Sequence, residues 1–496
     1  MVIISDESAV RNPELFHLVF NAARDAIEKI KGIDLTKQYS IPTHFNWVYV
    51  NYEKNGLPDF HESILFNGEK DFSAFISSGN NCRIKIEELD SYVALGNYGI
   101  TNIEFKRAVL PNRENTQYTK DKEDTQNRIY KIITWGLANS IVERYMHVFS
   151  DQEFSCKFCQ FLYVPLEQKI YQQELQIEII VPIILLDFEL NEFQLTESDR
   201  VIKMTNELQI GRAQTKYAGD DGINKGALSG CTHALVLSNW KYKNDNYWST
   251  PKVINSPDIM DRVERFFASI RMVRNVETGY AQIIQCAVDW AREYVVNIPE
   301  LSFEFIRAYP QSLQKRSLSD RTRPVITKTE IEEISKIYSL LMRDEHTSLT
   351  IAVKRINACY MRNSDEDSII DATIAMEALF GDDDNQEMTH KLALRMAALS
   401  SLDPKGERSA LEVFKDTKMI YKFRSKVVHG RKGKDVEKVR FITQPTGKIR
   451  AVEVALANLR QAIRVFAEHP QFLDPETIDK TLLIPPTINQ FMKKEA

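Results

Sequence analysis

From residue 326 to residue 470, apolar residues recur at intervals of three and four positions. This spacing places them on one face of an α-helix, where they can be buried together. Six segments share the pattern and are joined by short polar turns: EIEEISKIYSLLM, LTIAVKRINACYM, SIIDATIAMEALF, HKLALRMAALS, ALEVFKDTKMIYKFRSKVV and VEVALANLRQAIRVF. The sequence therefore predicts a helical bundle for this part of the chain.

The preceding part of the chain carries β-strand signals as well as helical ones. Short apolar or alternating runs bounded by Gly, Asn, Asp and Pro predict strands at FNWVYVNY, RIKIEEL, NIEFKRAVL, FLYV, LQIEIIVPIILLDFEL and RVIKMTNEL. Helical spacing predicts helices over 12–32 and 126–149, and at DIMDRVERFFASIRMV and YAQIIQCAVDWAREY. We therefore expect an α+β fold, with a strand-rich α+β N-terminal region followed by an all-α bundle.

A polar segment, SLQKRSLSDRTRPV at 312–325, separates the two patterns. It is charged, lacks periodicity and contains a proline, as is typical of a linker between domains. A length of 496 residues is too great for one ordinary core. We divide the chain into an N-terminal module (1–255), a helical connector and linker (256–325), the bundle (326–470) and a polar, proline-containing tail (471–496).

Targeting signals and cysteine content indicate a cytoplasmic protein. The start, MVIISDESAVRN, lacks the basic region and long apolar region of a signal peptide. The longest apolar run, IIVPIILL at 179–186, is far shorter than the ~20 residues that span a bilayer, so we expect no membrane segment. Six cysteines are too few for a disulfide scaffold of this size.

Charge is distributed unevenly along the chain. The formal net charge is −5, yet the stretch from Lys415 to Arg450 holds twelve Lys or Arg and only three acidic residues. A local excess of cations in an acidic protein predicts a docking surface for an anionic partner.

Within this basic segment, Arg424 and His429 are separated by five positions. On a continuous helix the two side chains would point about 140° apart, so one regular helix cannot aim both at one atom. They can meet if the helix ends at His429, with Gly430 as its C-terminal cap, or if a second copy of the chain completes the site. The structural alternative is that Arg424 forms an ion pair inside the bundle while His429 binds a buried carbonyl.

The string YKFRSKVVHG, the upstream helices IDATIAMEALF and HKLALRMAAL, and the closing helix LRQAIRVF resemble the HEPN superfamily, in particular its Apea-like branch. The resemblance covers about residues 326–470. A strand-rich module before such a bundle is also similar to ApeA-type antiphage proteins. The resemblance implies a metal-independent endoribonuclease that acts as a dimer, in an abortive-infection (toxin) role in antiviral defence. It also leaves open a non-catalytic bundle that dimerises and binds RNA or protein, with the N-terminal region as the sensor.

The resemblance also implies residue roles. Arg424 and His429 would be catalytic, and the chemistry would need no metal or other cofactor. Ser425 would support them, although the superfamily often has Asn or Asp at this position. The residues themselves suggest Glu377 as a further supporting residue, as a partner of Arg424 or Arg395 across the bundle, and a structural ion pair is the alternative. Four cations would contact the RNA backbone: Lys426, Arg431, Lys432 and Lys434. The implied partners are RNA, with tRNA as one candidate, other copies of the chain in a homodimer or higher homo-oligomer formed through the bundle, and a phage-derived trigger.

Three cysteines and one histidine outside the bundle are candidate metal ligands. Cys156 and Cys159 have the CxxC spacing of a zinc knuckle, and Cys231 with His233 supplies two further ligand types. The Cys-x-His half is not a standard spacing, and ordinary thiols are the alternative. Neither a Walker A motif nor GxGxxG occurs, so ATP-driven or dinucleotide chemistry has no support in the sequence.

Overall fold

The structure is a computed structural model of the chain. It describes residues 10–33, 42–44, 47–63, 68–77, 84–110, 120–217, 225–248, 253–254, 256–314, 323–343, 347–382, 387–403, 405–406, 408–430, 434–444 and 447–484. These residues form an α+β fold, with a strand-rich N-terminal region and a helical C-terminal part, as predicted. In the described residues, no helix is both long and apolar enough to cross a membrane.

The first module is a helical layer with short strands at its side. Its elements are α1 (Pro13–Lys31), β1 (Val48–Tyr52), β2 (Pro58–Glu62), β3 (Ile76–Ser77), β4 (Ile84–Lys85), α2 (Asp90–Thr101), α3 (Ile103–Val109), α4 (Lys120–Val148) and α5 (Cys156–Tyr171). Helix α1 begins where Asn12 accepts a hydrogen bond from the Leu15 amide and ends before Gly32, which confirms the predicted helix. Helices α1, α2, α4 and α5 share one apolar core that includes Leu15, Tyr92, Leu137 and Tyr163.

A six-stranded antiparallel sheet forms the centre of the molecule. Its region contains β5 (Glu174–Ile184), β6 (Asp187–Phe188), β7 (Glu192–Gln194), β8 (Asp199–Lys203), α6 (Asn206–Tyr217), α7 (Lys225–Ser229), β9 (Cys231–Lys243), α8 (Pro257–Val273), β10 (Tyr280–Ala287), β11 (Tyr294–Val295), β12 (Ile298–Pro299), β13 (Leu301–Ala308) and β14 (Val325–Ile326). The strand order is β13-β10-β5-β9-β8-β7. Both faces of the sheet are buried, in two separate apolar clusters.

Three sequence predictions in these regions were wrong. NIEFKRAVL is mostly helix α3, because the Asn102 side chain caps it and Phe105 and Val109 are buried one turn apart. FLYV lies inside α5, which Ser155 caps. YAQIIQCAVDWAREY starts with strand β10, the second strand of the sheet. The first six residues of β10 are all buried. The hydrophobic periodicity of the sequence does not distinguish a strand that is buried on both faces from a buried helix.

The predicted helical connector, 256–325, therefore needs correction. It contributes α8 and two strands of the central sheet, β10 and β13, rather than a helical spacer. Strand β10 pairs with β5 of the preceding region, so the sheet includes both sides of the proposed boundary at residue 255.

The bundle contains the six helices that the sequence predicts, with additional short elements. Its elements are α9 (Lys328–Leu341), α10 (Thr347–Met361), α11 (Asp365–Phe380), α12 (Met388–Ser400), α13 (Ala410–Val428), α14 (Lys434–Arg440), β15 (Phe441–Gln444), β16 (Gly447–Arg450), α15 (Ala451–Glu468) and α16 (Pro475–Ile478). The β15–β16 hairpin was not predicted. The helices enclose one apolar core that includes Ile356, Met376, Phe423 and Phe466.

Residues 470–484 pack on the bundle rather than forming a free tail. Phe472, Leu473 and Ile478 are buried in the bundle core. Asp479 accepts two hydrogen bonds from the Arg395 guanidinium, at 2.8 and 2.6 Å. This part of the predicted tail was therefore wrong, and residues 485–496 lie outside the described part.

Helices α8 and α9 join the sheet to the bundle. On α8, Phe266 and Phe267 pack in the core on the sheet, while Ala268 and Met272 belong to the bundle core. Arg271 of α8 is 2% exposed, and its guanidinium donates hydrogen bonds to the Asn357 side chain of α10 and, at 2.8 Å, to the Thr278 carbonyl before β10.

We expect Arg271→Ala to lower the free energy of unfolding by about 3 kcal/mol. The substitution leaves a void and two buried acceptors without their donor. Urea denaturation measures the loss. Arg355→Ala is the control, because Arg355 is 43% exposed and its partner Asp371 keeps a second arginine, Arg362. The control should change stability by less than about 1 kcal/mol, and equal losses in both variants would contradict a special role for Arg271.

Candidate functional site

The candidate site is the C-terminal end of α13. Ser409 and Glu412 form a reciprocal capping box at the start of this helix. The helix ends at Val428, His429 is the cap residue, and Gly430 follows with φ of +65°. The amides of His429 and Gly430 donate to the carbonyls of Ser425 and Val427, at 3.1 and 3.0 Å. A helix that ends at His429 with Gly430 behind it was one of the two alternatives left open by the sequence, and glycine adopts this left-handed backbone without steric cost.

Gly430→Ala should destabilise the protein by about 1 kcal/mol, because a Cβ is unfavourable at this φ while no neighbouring atom lies within 4 Å of it. Gly430→Asn should cost less, since asparagine enters the left-handed region more readily. Thermal and urea unfolding of both variants measure the order. If alanine and glycine are equally stable, the helix does not end in this left-handed turn.

Cations line the outward face of α13. Lys415, Lys418, Lys422 and Lys426 follow each other at steps of three and four residues, and His429 continues the row. At ~100° per residue these positions fall within one sector about 80° wide. Lys415, Lys418, Lys422 and His429 are exposed, and Lys426 is half-buried. We call these four lysines the lysine stripe. It ends at His429.

Arg424 lies on the opposite side of the same helix. It is two to nine positions from the stripe lysines, and its angular position is about 160–200° from those of Lys415, Lys422 and Lys426. Its Nη2 atom lies 3.8 Å from Oε1 of Glu377 on α11, and the two side chains are 35% and 30% exposed. The Arg424 Nε atom is buried and has no hydrogen-bond partner among the described residues.

Tyr421 holds Glu377 in place. Its hydroxyl donates to Glu377 Oε1 at 3.1 Å. Burial and the neighbouring carboxylate raise the pKa of Tyr421, so the hydroxyl stays protonated and remains a donor. Arg424 is therefore the predicted partner that Glu377 faces. The other suggested partner, Arg395, binds Asp479 and Asp382 instead.

The helix end does not by itself bring Arg424 and His429 together. His429 has φ of −81°, which is close to a helical value, so its Cβ still projects about 140° from that of Arg424. Of the two ways in which both groups can reach one phosphate, the geometry therefore favours completion by a second copy of the chain.

The structure describes only some of the other residues that were predicted to contact RNA or to support the site. Ser425 is exposed on the last turn of α13, next to Lys426. Lys434 is the first residue of α14, and its side chain is outside the described part. Arg431 and Lys432 lie outside the described residues.

A groove lies beside the lysine stripe. It has a volume of about 1080 Å³ and runs between α13, the β15–β16 hairpin and α15. Lys415 of the stripe lines it, as do Arg408, Lys438 and Arg460. Acidic residues line it too, among them Glu412 and Asp416, and Asp416 is engaged by Arg408 and by the Gln444 amide. The groove extends the cationic surface away from His429.

The four cysteine and histidine residues of the zinc alternative do not form a cluster. Cys156 and Cys159 are in the first turn of α5, while the Cys231 thiol donates to the Ala227 carbonyl beside the sheet. His233 contacts Thr232 and lies 3.7 Å from Asp187. Burial raises the pKa of Cys159 and raises that of Cys231 to about 11, so both remain neutral thiols near pH 7.

The structure also contains a cluster of titratable side chains that was not predicted from the sequence. His44, Glu143 and His147 meet in the N-terminal module, and among the described residues they are the one set of three or more His, Cys, Asp or Glu close enough to hold a metal ion. Burial acts to raise the pKa of Glu143, but hydrogen bonds from His147 and His44 lower it to about 2. The signal in the sequence was Glu143-x3-His147, a spacing of one turn on a helix.

Comparison of the chain with known protein-family models, curated proteins and solved structures finds no significant match.

Proposed function

We propose that the protein is a metal-independent endoribonuclease whose bundle cleaves RNA at a site shared by two copies of the chain. The observation that carries the proposal is the lysine stripe, which runs along the exposed face of α13 and ends at the exposed His429. A row of cations at helical spacing suits the repeating phosphates of a nucleic-acid backbone. It leads the polymer to the histidine at the end of the row, the residue type that most often acts as a general acid or base.

The chemistry follows from the substrate. RNA carries its own nucleophile, the 2′-OH, so the protein has to move protons and stabilise negative charge on the phosphate. His429 acts as the general acid or base. Arg424 keeps its positive charge and binds two phosphate oxygens. The 2′-oxygen attacks the phosphorus atom, and the bond between phosphorus and the 5′-oxygen breaks. One fragment then ends in a 2′,3′-cyclic phosphate, and the other begins with a 5′-hydroxyl.

The position of Arg424 supports a composite site. The nearest Glu377 oxygen is 3.8 Å away, which is longer than a hydrogen bond, so the ion pair is loose. A third of the Arg424 side chain is exposed. The guanidinium of one chain is thus available to a phosphate that His429 of the other chain approaches. Val428, which is 51% exposed between the two, supplies apolar surface for such a contact.

In the cell, we place this activity in cytoplasmic antiphage defence by abortive infection. The resemblance of the bundle to the Apea-like HEPN branch supports this role. The N-terminal α+β region then senses a phage-derived trigger or restrains the nuclease.

A second candidate function has an observation in its favour. Arg424 faces Glu377 and the bundle core rather than the lysine stripe, as an arginine with a structural role does. In this alternative the bundle dimerises and binds RNA or protein without cleaving it, and the N-terminal region is the working part.

The decisive experiment incubates the purified full-length protein with total RNA and with tRNA, with and without EDTA. We expect wild-type protein to cleave RNA in both conditions and to leave 2′,3′-cyclic phosphate ends. His429→Ala and Arg424→Ala should each reduce the rate by at least about 100-fold, because each removes a group that acts in the transition state. His390→Ala is the matched control, since His390 is an exposed histidine of the same bundle.

Equal cleavage by wild type and His429→Ala would contradict the assignment of the catalytic histidine. Intact RNA with all variants, when circular dichroism shows them folded, would favour the binding module. A mixture of the two inactive variants gives a direct test of the shared site. If two chains contribute, mixing His429→Ala with Arg424→Ala should restore part of the activity, because one hybrid site has both residues.

The lysine stripe predicts salt-dependent RNA binding in either candidate function. Lys415→Ala combined with Lys422→Ala should weaken binding and reduce the slope of log affinity against log salt concentration by about two, one for each lost phosphate contact. Fluorescence anisotropy with a labelled RNA measures the slope. Lys336→Ala, on α9 and paired with Glu468, is the control and should leave the slope unchanged.

A further inference from the structure

Two histidines and one glutamate converge in the N-terminal module. Glu143 and His147 are one turn apart on α4, so they project from the same side of the helix. His44 approaches from the segment 42–44. The Nε2 atoms of His44 and His147 lie 2.7 and 3.2 Å from the same oxygen, Oε1 of Glu143. These three ligand-type atoms all lie within 4.8 Å of one another.

Backbone hydrogen bonds hold His44 in this position. The His44 amide donates to the Glu69 carbonyl, and the Asp71 amide donates to the Pro42 carbonyl, both at 2.8 Å. The segments 42–44 and 69–71 are thereby paired with each other beside α4. The pairing also brings the Lys70 carbonyl oxygen to 2.7 Å from His147 Nε2, so a fourth donor atom lies beside the cluster.

The atoms that point away from the cluster also have suitable neighbours. His44 Nδ1 faces an Asp71 oxygen at 3.6 Å, and His147 Nδ1 faces a Glu69 oxygen at 3.7 Å. Histidines that bind metals commonly direct the second ring nitrogen to a carboxylate, which fixes the ring and makes it a better ligand. The second oxygen of Glu143, Oε2, accepts a hydrogen bond from the Ser73 amide at 2.9 Å. Oε1, the oxygen of the cluster, also accepts a longer hydrogen bond from the Val296 amide at 3.3 Å.

Two explanations fit three groups at these distances. In a network of ion pairs, both Nε2–H groups point at one carboxylate oxygen, and that of His147 is shared with the Lys70 carbonyl. In a metal site, the two nitrogens and the oxygen each donate a lone pair to one cation. Ligand atoms around tetrahedral zinc are about 3.4 Å apart, so the shorter of the two observed separations has to widen by only about 0.7 Å. The carboxylates beside both rings are in the position that commonly supports metal-bound histidines, and the Lys70 carbonyl oxygen is available as a fourth ligand atom.

We propose that His44, Glu143 and His147 bind one divalent transition-metal ion, with zinc as the ion that two imidazoles and one carboxylate favour. The ion fastens the segments 42–44 and 69–71 to α4, and it stabilises the N-terminal module. The proposal is independent of the proposed nuclease, because none of the three ligands belongs to the bundle.

The first test measures metal directly in the full-length protein. Protein purified without chelators is incubated with Zn²⁺, freed of unbound metal by gel filtration, and measured by mass spectrometry of the metal. We expect about one zinc ion per chain. After removal of the metal with EDTA, added Zn²⁺ should raise the melting temperature, because it binds the folded state selectively. A zinc content far below one per chain in wild-type protein would overturn the proposal, whatever the variants do.

Variants then locate the site. His44→Ala and Glu143→Asp should each lower the affinity for zinc by at least about tenfold, and Asp71→Asn should weaken it through the ring of His44. His61→Ala is the matched control, because His61 also pairs with a carboxylate, that of Asp59, but lies outside the cluster. Cys156→Ser tests the exposed thiol as a rival ligand. Loss of zinc in Cys156→Ser, or an unchanged affinity in both His44→Ala and Glu143→Asp, would overturn the assignment.

Glu143→Asp keeps the negative charge and guards against misfolding as the explanation. A variant that binds less zinc but has the far-ultraviolet circular dichroism and the melting temperature of metal-free wild type has lost a ligand rather than its fold. If instead zinc is absent from wild type and the variants are destabilised, the three residues form an ion-pair network only.

Discussion

Helix α8 packs on the sheet with one side and on the bundle with the other, and Arg271 lies where the two contacts meet. Burial of a guanidinium is unfavourable unless its donors are paired. Nη1 and Nη2 of Arg271 have partners, while its Nε has none among the described residues. Arg271 binds Asn357 of the bundle and the Thr278 carbonyl at the approach to β10, and the faces of Phe267 and Tyr360 lie against it. Arg271 therefore links the bundle to the approach to β10 through hydrogen bonds that are shielded from water. The Asn357 amide in turn donates to Glu264 of α8, so the contact is a closed network.

The packing of α13 on the bundle core determines which of its residues are exposed to solvent. One side of the helix packs on the bundle core through Val413, Ile420 and Phe423. The other side carries the lysine stripe to His429. Arg424 falls on the packed side, beside α11, and only the length of its side chain brings a third of it to the surface. The two residues of the motif therefore lie on different sides of their own helix.

The two proposed sites are built from different materials. The end of α13 offers cations and one exposed imidazole, which suit a polyanion and proton transfer. The cluster on α4 offers buried imidazoles and a buried carboxylate, which suit a small cation. In our proposals, a metal ion stabilises the N-terminal module and the bundle acts on RNA, so the two sites belong to different parts of the chain. The sheet and α8 connect them.

The amino-acid sequence alone determined what depends on neighbouring residues. The period of apolar residues predicted the bundle helices, Gly430 predicted the end of α13, and the cation count predicted a basic surface, because periodicity, backbone conformation and charge are local properties. Tertiary structure decided the rest. Strand β10 and helix α3 depend on which of their residues are buried, and a short stretch of sequence does not show this. The placement of Arg424 depends on which side of α13 packs against α11. His44 and Glu143 are 99 positions apart, and only the pairing of segments 42–44 and 69–71 beside α4 brings them within 2.7 Å.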